Sequence, residues 1–187
     1  MMMIDVNSNR AAAKYTAREQ SARVVWSGVK LLFRKSPRPC FAWRRALLRA
    51  FGAKVGAGVN VYPSATIYFP WNLRIEEHSA IGEDVLIYNL GLVTIGARVT
   101  ISHRSHICAG THDYTRQDFP LLKPPISVGS DAWVCADAFL GPGVCVGDGA
   151  IVGARAAVFR DVRAWTIVGG NPAKVIGSRL RSISELP

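Results

Sequence analysis

The sequence feature that most constrains this chain is a six-residue spacing of aliphatic side chains. Fifteen positions, arranged in four runs with a step of six, are all Ile, Leu or Val. A period of six fits neither a helical stripe nor a simple alternating strand. It is typical of a parallel β-helix, in which each hexapeptide supplies one short strand and one turn. The positions are Val55, Val61 and Ile67; Ile75, Ile81 and Ile87; Ile95, Ile101 and Ile107; and Val128, Val134, Leu140, Val146, Val152 and Val158.

Three hexapeptides close one triangular coil, so the repeats predict an all-β solenoid of about five stacked coils. The period is interrupted at residues 68–74, 93–94 and 113–127. The register of the repeats places all three interruptions after the third face of a coil. Insertions gathered at one corner of a repeat column commonly build its binding site. We therefore expect the functional site at this corner.

The charge of the chain is concentrated before the repeats. Residues 1–54 contain twelve Lys or Arg against two acidic residues, whereas residues 55–187 contain eleven of each. We interpret the chain as a basic, partly helical N-terminal arm (1–54), a neutral β-helix domain (55–176) and a short C-terminal tail (177–187). The arm segment FAWRRALLRAF is predicted to form a helix that caps the open end of the column, contacts anionic lipid, or does both. No aromatic-interleaved basic face accompanies it, so nucleic acid is not an expected partner.

Cysteine usage and the N-terminal sequence favour a cytoplasmic protein. The four cysteines form no C-x-x-C pair, and Cys108, Cys135 and Cys145 lie in the repeats, where Cys acts as a small buried hydrophobe. The first residues lack the apolar core of a signal peptide, and no apolar run is long enough to span a bilayer. We expect a cytoplasmic chain that is peripheral at the inner membrane face if the arm binds lipid.

The histidines are the first candidates for chemistry. His78, His103 and His106 fall at or beside turns of regular repeats, where a solvated turn side chain is the simplest interpretation. His112 differs because it is the last residue before the longest interruption, residues 113–127. A zinc site is not expected, because ligands must converge within about 2.1 Å of one ion and these histidines occupy different turn positions.

Several motifs together resemble those of the hexapeptide-repeat O-acetyltransferases. They are THDY before the long interruption, Asp131-Ala132-Trp133 where the repeats resume, GPGVCVGDGAIVGARAAVFRDV, and the ending WTIVGGNPAKVI. The chain is most similar to the colanic-acid-biosynthesis acetyltransferases, and more broadly to the maltose, galactoside and nodulation-factor acetyltransferases. The resemblance extends from residue 31 to about residue 178. It implies a left-handed parallel β-helix, acetyl-CoA as donor, and a homotrimer with sites shared between neighbouring chains.

The resemblance also implies roles for single residues. His112 matches the catalytic base, and Asp113 or a backbone carbonyl is expected to orient it. Acceptor contacts are expected from Asn89, Asp113 and Tyr114. A second basic cofactor position falls on Gly177, so Arg179 or Arg181 is expected to replace it. The expected cofactor-binding residues are Trp133 beside the pantetheine arm, Ala136 and Ala154 through their backbone, Arg160, Lys174 near the nucleotide phosphate, and Arg179.

The residue types agree with acyl transfer to a sugar. A hydroxyl acceptor needs a proton acceptor near neutral pH, and imidazole has an intrinsic pKa of about 6.5. No GxSxG or other nucleophile motif is present, and Cys108 lies in an inward-packed repeat, so direct transfer is favoured over an acyl-enzyme. We predict an acetyl-CoA-dependent, metal-free O-acetyltransferase that acts on a sugar hydroxyl in bacterial polysaccharide biosynthesis. The alternatives are N-acetylation of an aminosugar nucleotide, because an amine needs the same base, and a non-catalytic trimeric scaffold.

Overall fold

A computed structural model of the chain describes residues 5–180. Of the predicted tail (177–187), residues 181–187, including Arg181, lie outside the described residues, whereas Gly177 and Ser178 belong to β19. Three helices precede the repeats: α1 (Val6–Ala11), α2 (Ala17–Arg34) and α3 (Phe41–Ala50). The strands are β1 (Lys54–Val55), β2 (Asn60–Val61), β3 (Thr66–Ile67), β4 (Leu73–Ile75), β5 (Ala80–Ile81), β6 (Leu86–Tyr88), β7 (Val93–Ile95), β8 (Thr100–Ile101), β9 (His106–Cys108), β10 (Thr111–His112), β11 (Leu121–Leu122), β12 (Ile126–Val128), β13 (Trp133–Val134), β14 (Phe139–Leu140), β15 (Cys145–Val146), β16 (Ile151–Val152), β17 (Ala157–Val158), β18 (Thr166–Gly169) and β19 (Lys174–Ser178).

Three parallel sheets form the faces of a triangular column. The first joins β1, β4, β7, β12 and β15; the second joins β2, β5, β8, β13, β16 and β18; the third joins β3, β6, β9, β14 and β17. Aliphatic residues predicted to share a face are in register, as Ile75, Ile95 and Val128 are on the first face. The predicted parallel β-helix is therefore confirmed. It has five complete coils and part of a sixth, formed by a bridge at Val162 and by β18, so the predicted count was slightly low.

The inward aliphatic residues form one continuous core along the column. Ile81, Ile101 and Val134, stacked on the second face, are completely buried. Burial of a side chain of this size contributes about 1.5–3 kcal/mol. Regular stacking therefore fixes the position of every corner of the column, including the corners that carry the candidate site.

The N-terminal helices cover the first coil. Trp26 of α2 is buried and donates its indole N–H to the carbonyl of Ile67 at 2.9 Å. Three arginines of α3 donate to first-coil carbonyls: Arg44 to Val61, Arg45 to Val59 and Arg49 to Val55. These carbonyls lie at the exposed end of a sheet and would otherwise need water. The predicted capping helix is thus observed as α3.

Between residues 5 and 180, no helix combines the length and the apolar character needed to cross a bilayer.

The chain connects the third face to the first at the predicted corner in each interrupted coil, through residues 68–72, 89–92 and 109–125; we call this position the loop corner. Residues 93–94, predicted as the second interruption, lie within β7. A short 3-10 helix, Pro70–Asn72, fills the first interruption. The longest interruption, residues 113–127, begins after β10 and includes β11; these two strands pair antiparallel, with Thr111 opposite Leu122 and His112 opposite Leu121. Helix α1 lies against this loop, because the N–H of Asp5 donates to the carbonyl of Gln117 at 2.8 Å.

Candidate active site

His112 is fixed by its own loop. Its Nδ1 lies 2.8 Å from the carbonyl oxygen of Phe119. The imidazole also stacks on the Phe119 ring, with ring centroids 4.7 Å apart and 7° between the planes. A carbonyl can only accept a hydrogen bond, so Nδ1 must carry the proton and Nε2 keeps a free lone pair. His112 is therefore held in the tautomer that can accept a proton at Nε2.

The backbone carbonyl, and not Asp113, is the partner that orients His112. The Asp113 carboxylate accepts from the hydroxyl of Thr115 at 2.6 Å and from its N–H at 3.0 Å. These two bonds from Thr115 lower the pKa of Asp113. Asp113 thus stabilises the turn after His112. The adjacent Tyr114 is among the most exposed apolar side chains of the chain, at 79%.

Asn89, predicted to contact the acceptor, makes its side-chain hydrogen bonds inside the protein. Its side chain is completely buried. The amide oxygen accepts from the N–H of Phe69 at 3.0 Å, and the amide nitrogen donates to the carbonyls of Phe69 and Asn72. The side-chain amide is thus engaged inside the protein, where it holds the interruption at residues 68–74.

Cys108 precedes His112 by four positions in the sequence but is poorly suited to act as a nucleophile. Its thiol donates to the carbonyl of Gly110, with 3.4 Å between sulfur and oxygen. Burial raises the pKa of the Cys108 thiol. Because the thiolate is the reactive form, this environment disfavours an acyl-enzyme at Cys108.

Three of the predicted cofactor residues lie along one corner of the column, between the second and third faces. We call this corner, with Ala136, Ala154 and Lys174, the cofactor edge. Ala136 and Ala154 are on neighbouring coils, since the N–H of Arg155 donates to the Ala136 carbonyl at 2.9 Å. Lys174 pairs with Gly169, the last residue of β18, at the end of the second face in the last coil. A long ligand could therefore run along this edge.

Trp133 lies on the second face, just before the cofactor edge. Its side chain is 46% exposed, and its indole N–H donates to the hydroxyl of Ser102 at 2.9 Å. The exposed ring offers a flat apolar wall beside the edge. Ser102 is thus a further residue that orients a predicted site side chain.

Arg160 and Lys174 line one cleft at the C-terminal end of the column, with a volume of about 570 Å³. Arg179 lies elsewhere. Its guanidinium donates to the carbonyl of Asp131 at 2.6 Å and is 5.8 Å from the ring centroid of Trp165. These contacts are at the corner between the first and second faces. Arg179 therefore does not line the cleft that Arg160 and Lys174 share.

The remaining histidines have other surroundings. His78 is exposed at a turn with φ of +58°, as predicted for a turn residue. His106 instead begins β9, where its ring meets the edge of Phe139 and its Nε2 is buried without a hydrogen-bond partner. Among residues 5–180, no group of three or more His, Cys, Asp or Glu side chains is arranged to hold a metal ion.

The candidate base and the cofactor edge are on different corners of the same chain. His112 follows the third face, whereas Ala136 and Ala154 precede it. The third face separates the two corners, and Ala136 and Ala154 are also one and two coils further along the column than His112. The sequence did not identify Phe119 as part of the site, because a backbone carbonyl leaves no signature in residue type.

Comparisons with known proteins identify similar chains over most of the length. A scan against protein-family models found no match. "Putative colanic acid biosynthesis acetyltransferase WcaF" of Escherichia coli (strain K12) is 42% identical over 157 residues, covering 84% of this chain and 86% of that protein. Galactoside O-acetyltransferase of the same strain is 26% identical over 136 residues, covering 71% of this chain and 67% of that protein.

A solved structure supports the same relationship. The crystal structure of a hexapeptide-repeat-containing acetyltransferase from Vibrio cholerae O1 biovar eltor was determined in complex with acetyl-coenzyme A. It matches this structure with a TM-score of 0.81 and 27% sequence identity, covering 90% of this chain and 93% of that chain.

Proposed function

This chain belongs to the hexapeptide-repeat acetyltransferases, and from that premise we propose that it transfers the acetyl group of acetyl-CoA to a sugar hydroxyl during bacterial surface-polysaccharide biosynthesis. The observation that carries the proposal is the geometry of His112. Its Nδ1 proton is held by the Phe119 carbonyl, which leaves Nε2 available as a base. The relatives named for colanic acid and galactoside acetylation support a sugar as the acceptor class.

The proposed reaction is a direct transfer. Nε2 of His112 takes the hydroxyl proton while the hydroxyl oxygen forms a bond to the thioester carbonyl carbon. The tetrahedral intermediate then collapses, the carbon–sulfur bond breaks, and the CoA sulfur takes the proton back from His112. The products are the acetyl ester and CoA. The raised pKa of Cys108 supports this route over a covalent enzyme intermediate.

We propose that acetyl-CoA binds along the cofactor edge. The exposed ring of Trp133 would contact the pantetheine arm, and Ala136 and Ala154 would contact it through their backbone. Lys174 and Arg160, which share the C-terminal cleft, would bind the phosphates. Local basic residues are needed because residues 55–187 have no net charge to attract an anionic ligand.

A shared site in a homotrimer fits this arrangement. His112 and the cofactor edge are separated by the third face in one chain. Cyclic packing of identical columns would bring the loop corner of one chain to the cofactor edge of the next. Tyr114 and Asp113 would then lie at the junction, where an acceptor can bind.

The acceptor is tested by incubating the purified protein with isotopically labelled acetyl-CoA and polysaccharide repeat-unit precursors, followed by mass spectrometry. The proposal predicts one added acetyl group that mild alkali removes, because an ester is base-labile. An alkali-stable acetyl group on an aminosugar nucleotide would establish the N-acetyl alternative. His112→Ala serves as the blank. If the wild type transfers no more label than this blank, the proposal is contradicted.

We further propose that the N-terminal arm holds the enzyme at the cytoplasmic face of an anionic membrane. Helix α2 is apolar on two opposite sides. Trp26 and Phe33 are buried against the column, whereas Val24 and Leu31 on the outer side are 75% and 60% exposed. Helix α2 contains four Lys or Arg against one acidic residue, Glu19, so the helix that carries this exposed apolar stripe is itself basic. Both features favour anionic lipid over a second, equally basic copy.

The membrane proposal is tested by sedimentation with vesicles that contain or lack anionic lipid. The wild type is expected to sediment with anionic vesicles at low salt and to dissociate at high salt, because each basic residue near the surface contributes about 1 kcal/mol. The double variant Val24→Glu, Leu31→Glu should lose binding. The control Leu180→Glu changes an exposed apolar residue at the other end of the chain and should retain it. Equal binding of both variants would contradict the assigned surface.

A further inference from the structure

We propose that Asn9 is a positioning residue for His112, acting through the Phe119 carbonyl. The proposal rests on the function given to His112 above and adds a residue from a helix that precedes the loop by about a hundred positions. Asn9 Nδ2 donates to the carbonyl oxygen of Phe119, the same oxygen that accepts from His112 Nδ1. A carbonyl oxygen has two lone pairs, so the two donors together satisfy it.

The Asn9 side chain can fill this place in only one orientation. Its Nδ2 also donates to the carbonyl of Asp118 at 3.2 Å, and its Oδ1 accepts from the ammonium of Lys14 at 2.7 Å. Carbonyl oxygens require a donor, and an ammonium requires an acceptor. The amide therefore faces Phe119 with its nitrogen, and Lys14 fixes that orientation.

Phe119 needs such support because its backbone conformation is unfavourable. Its φ is +44°, in the left-handed region that a bulky residue rarely adopts. Strained backbone of this kind persists only where the surroundings determine it, and it is concentrated at functional sites. Within its own loop, the N–H of Phe119 donates to the Arg116 carbonyl at 3.2 Å. Asn9 adds a hydrogen bond to the Phe119 carbonyl from outside the loop.

The segment that carries Asn9 is tied to the loop on both sides. Before it, the N–H of Asp5 donates to the Gln117 carbonyl at 2.8 Å, and the Asp5 carboxylate caps α1. After it, the ammonium of Lys123 donates to the Lys14 carbonyl at 2.9 Å. Asn9 is therefore held against Phe119 from two directions. In this arrangement α1 supports the loop of residues 113–127. Removal of the Asn9 amide frees the Phe119 carbonyl to rotate away from His112.

The test combines kinetics with a direct measurement of the His112 tautomer. Asn9→Leu removes the donor with little change in size, and Asn9→Asp places a carboxylate against two carbonyl oxygens. Each is expected to lower kcat about tenfold, with the KM for acetyl-CoA changed less than twofold, because a small misplacement of a base affects the chemical step. Lys14→Met should have a smaller effect of the same kind. The control Asn7→Leu, on the same helix, should have none.

Nitrogen-15 NMR of histidine-labelled protein reads the tautomer, with the His112 signal assigned by its loss in His112→Gln. The wild type should show a protonated Nδ1, and the Asn9 variants a mixture of tautomers. Unchanged kcat, or a lower kcat with an unchanged His112 signal, would overturn the positioning role. If His112→Ala keeps full activity, the proposed function fails, whereas the tautomer measurement still tests the Asn9 contact. Thermal unfolding confirms that each variant is folded.

Discussion

His112 and Phe119 are joined by two contacts of different kinds. The Nδ1 atom of the histidine lies 2.8 Å from the phenylalanine carbonyl oxygen, and the two side-chain rings stack with 4.7 Å between centroids. Rotation of the imidazole would break the hydrogen bond, and translation would break the stack. The free chain therefore already holds its candidate base in one orientation and one tautomer, which lowers the cost of reaching a reactive geometry.

Replacement of His112 by Ala is expected to lower kcat by about 100-fold or more, because a positioned general base contributes about 10²–10⁴. Thermal unfolding should change little, since His112 is only partly buried at the surface of the loop. Steady-state kinetics with acetyl-CoA and the identified acceptor give the measurement. The control His78→Ala alters an exposed turn and should keep full activity. A comparable loss at His78 would refute the assignment of the base.

Replacement of Arg44 by Leu is expected to destabilise the fold by about 3 kcal/mol or more. Arg44 is completely buried and donates to the carbonyls of Val61, Pro37 and Arg38 and to the hydroxyl of Ser36. Burial lowers the pKa of its guanidinium, but four acceptors would lose their donor in the variant. A melting temperature lower by about 6–12 °C is expected. The exposed Arg34→Leu is the matched control, and an equal effect there would contradict the capping role.

Acid should destabilise the protein partly through His106. Burial lowers the pKa of His106 in the folded state below the value of about 6.5 expected in the unfolded chain. The unfolded state therefore binds more protons below about pH 6.5, so this contribution to stability is present at neutral pH and is lost as the pH falls, at up to about 1.4 kcal/mol per pH unit. Urea unfolding at about pH 7.5 and about pH 5 should show a smaller loss in His106→Leu than in wild type. If wild type and His106→Leu lose the same stability between these pH values, His106 is not a source of the acid sensitivity.

The fold could be predicted from the sequence because the information is local. A six-residue period determines which side chain points inward without knowledge of any distant contact. The partial sixth coil was missed because the step from Val158 to Val162 is four residues, which departs from the period.

The site was predicted less completely, because its geometry depends on the irregular segments. Asn89 is buried by the conformation of residues 68–74, which follows no repeat. The partner of His112 is a backbone carbonyl, and the neighbour of that carbonyl, Asn9, comes from a distant helix. Neither contact has a signature in residue spacing.

Replacement of Lys174 by Glu is expected to raise the KM for acetyl-CoA about tenfold, which corresponds to about 1.4 kcal/mol of binding, with kcat changed less. Lys174 lines the C-terminal cleft with Arg160, where the phosphates of the donor are proposed to bind. If Lys174 contacts the 3′-phosphate, thioesters of dephospho-CoA should lose most of this sensitivity. Arg163→Glu makes the same charge change at an exposed position outside the cleft and should leave the KM unaltered. Equal effects at both positions would indicate a general charge effect instead of a phosphate site.

Mixing the two variants tests whether the sites are shared between chains. His112 lies in β10, after the third coil, whereas Lys174 lies in β19 at the C-terminal end of the column, so in the proposed shared site they come from different chains. The His112→Ala and Lys174→Glu variants are mixed in equal amounts, unfolded and refolded together. The mixture is then assayed at an acetyl-CoA concentration well below the wild-type KM. If sites are shared, about a quarter of them contain both native residues after random assembly. Activity should therefore recover to about a quarter of the wild-type value. If both residues of a site come from one chain, no site regains both. Half of the sites then carry Lys174→Glu alone, and the predicted tenfold effect leaves a total of about a twentieth of wild-type activity. Refolding each variant alone supplies the baseline, and recovery no greater than their average would refute the shared site.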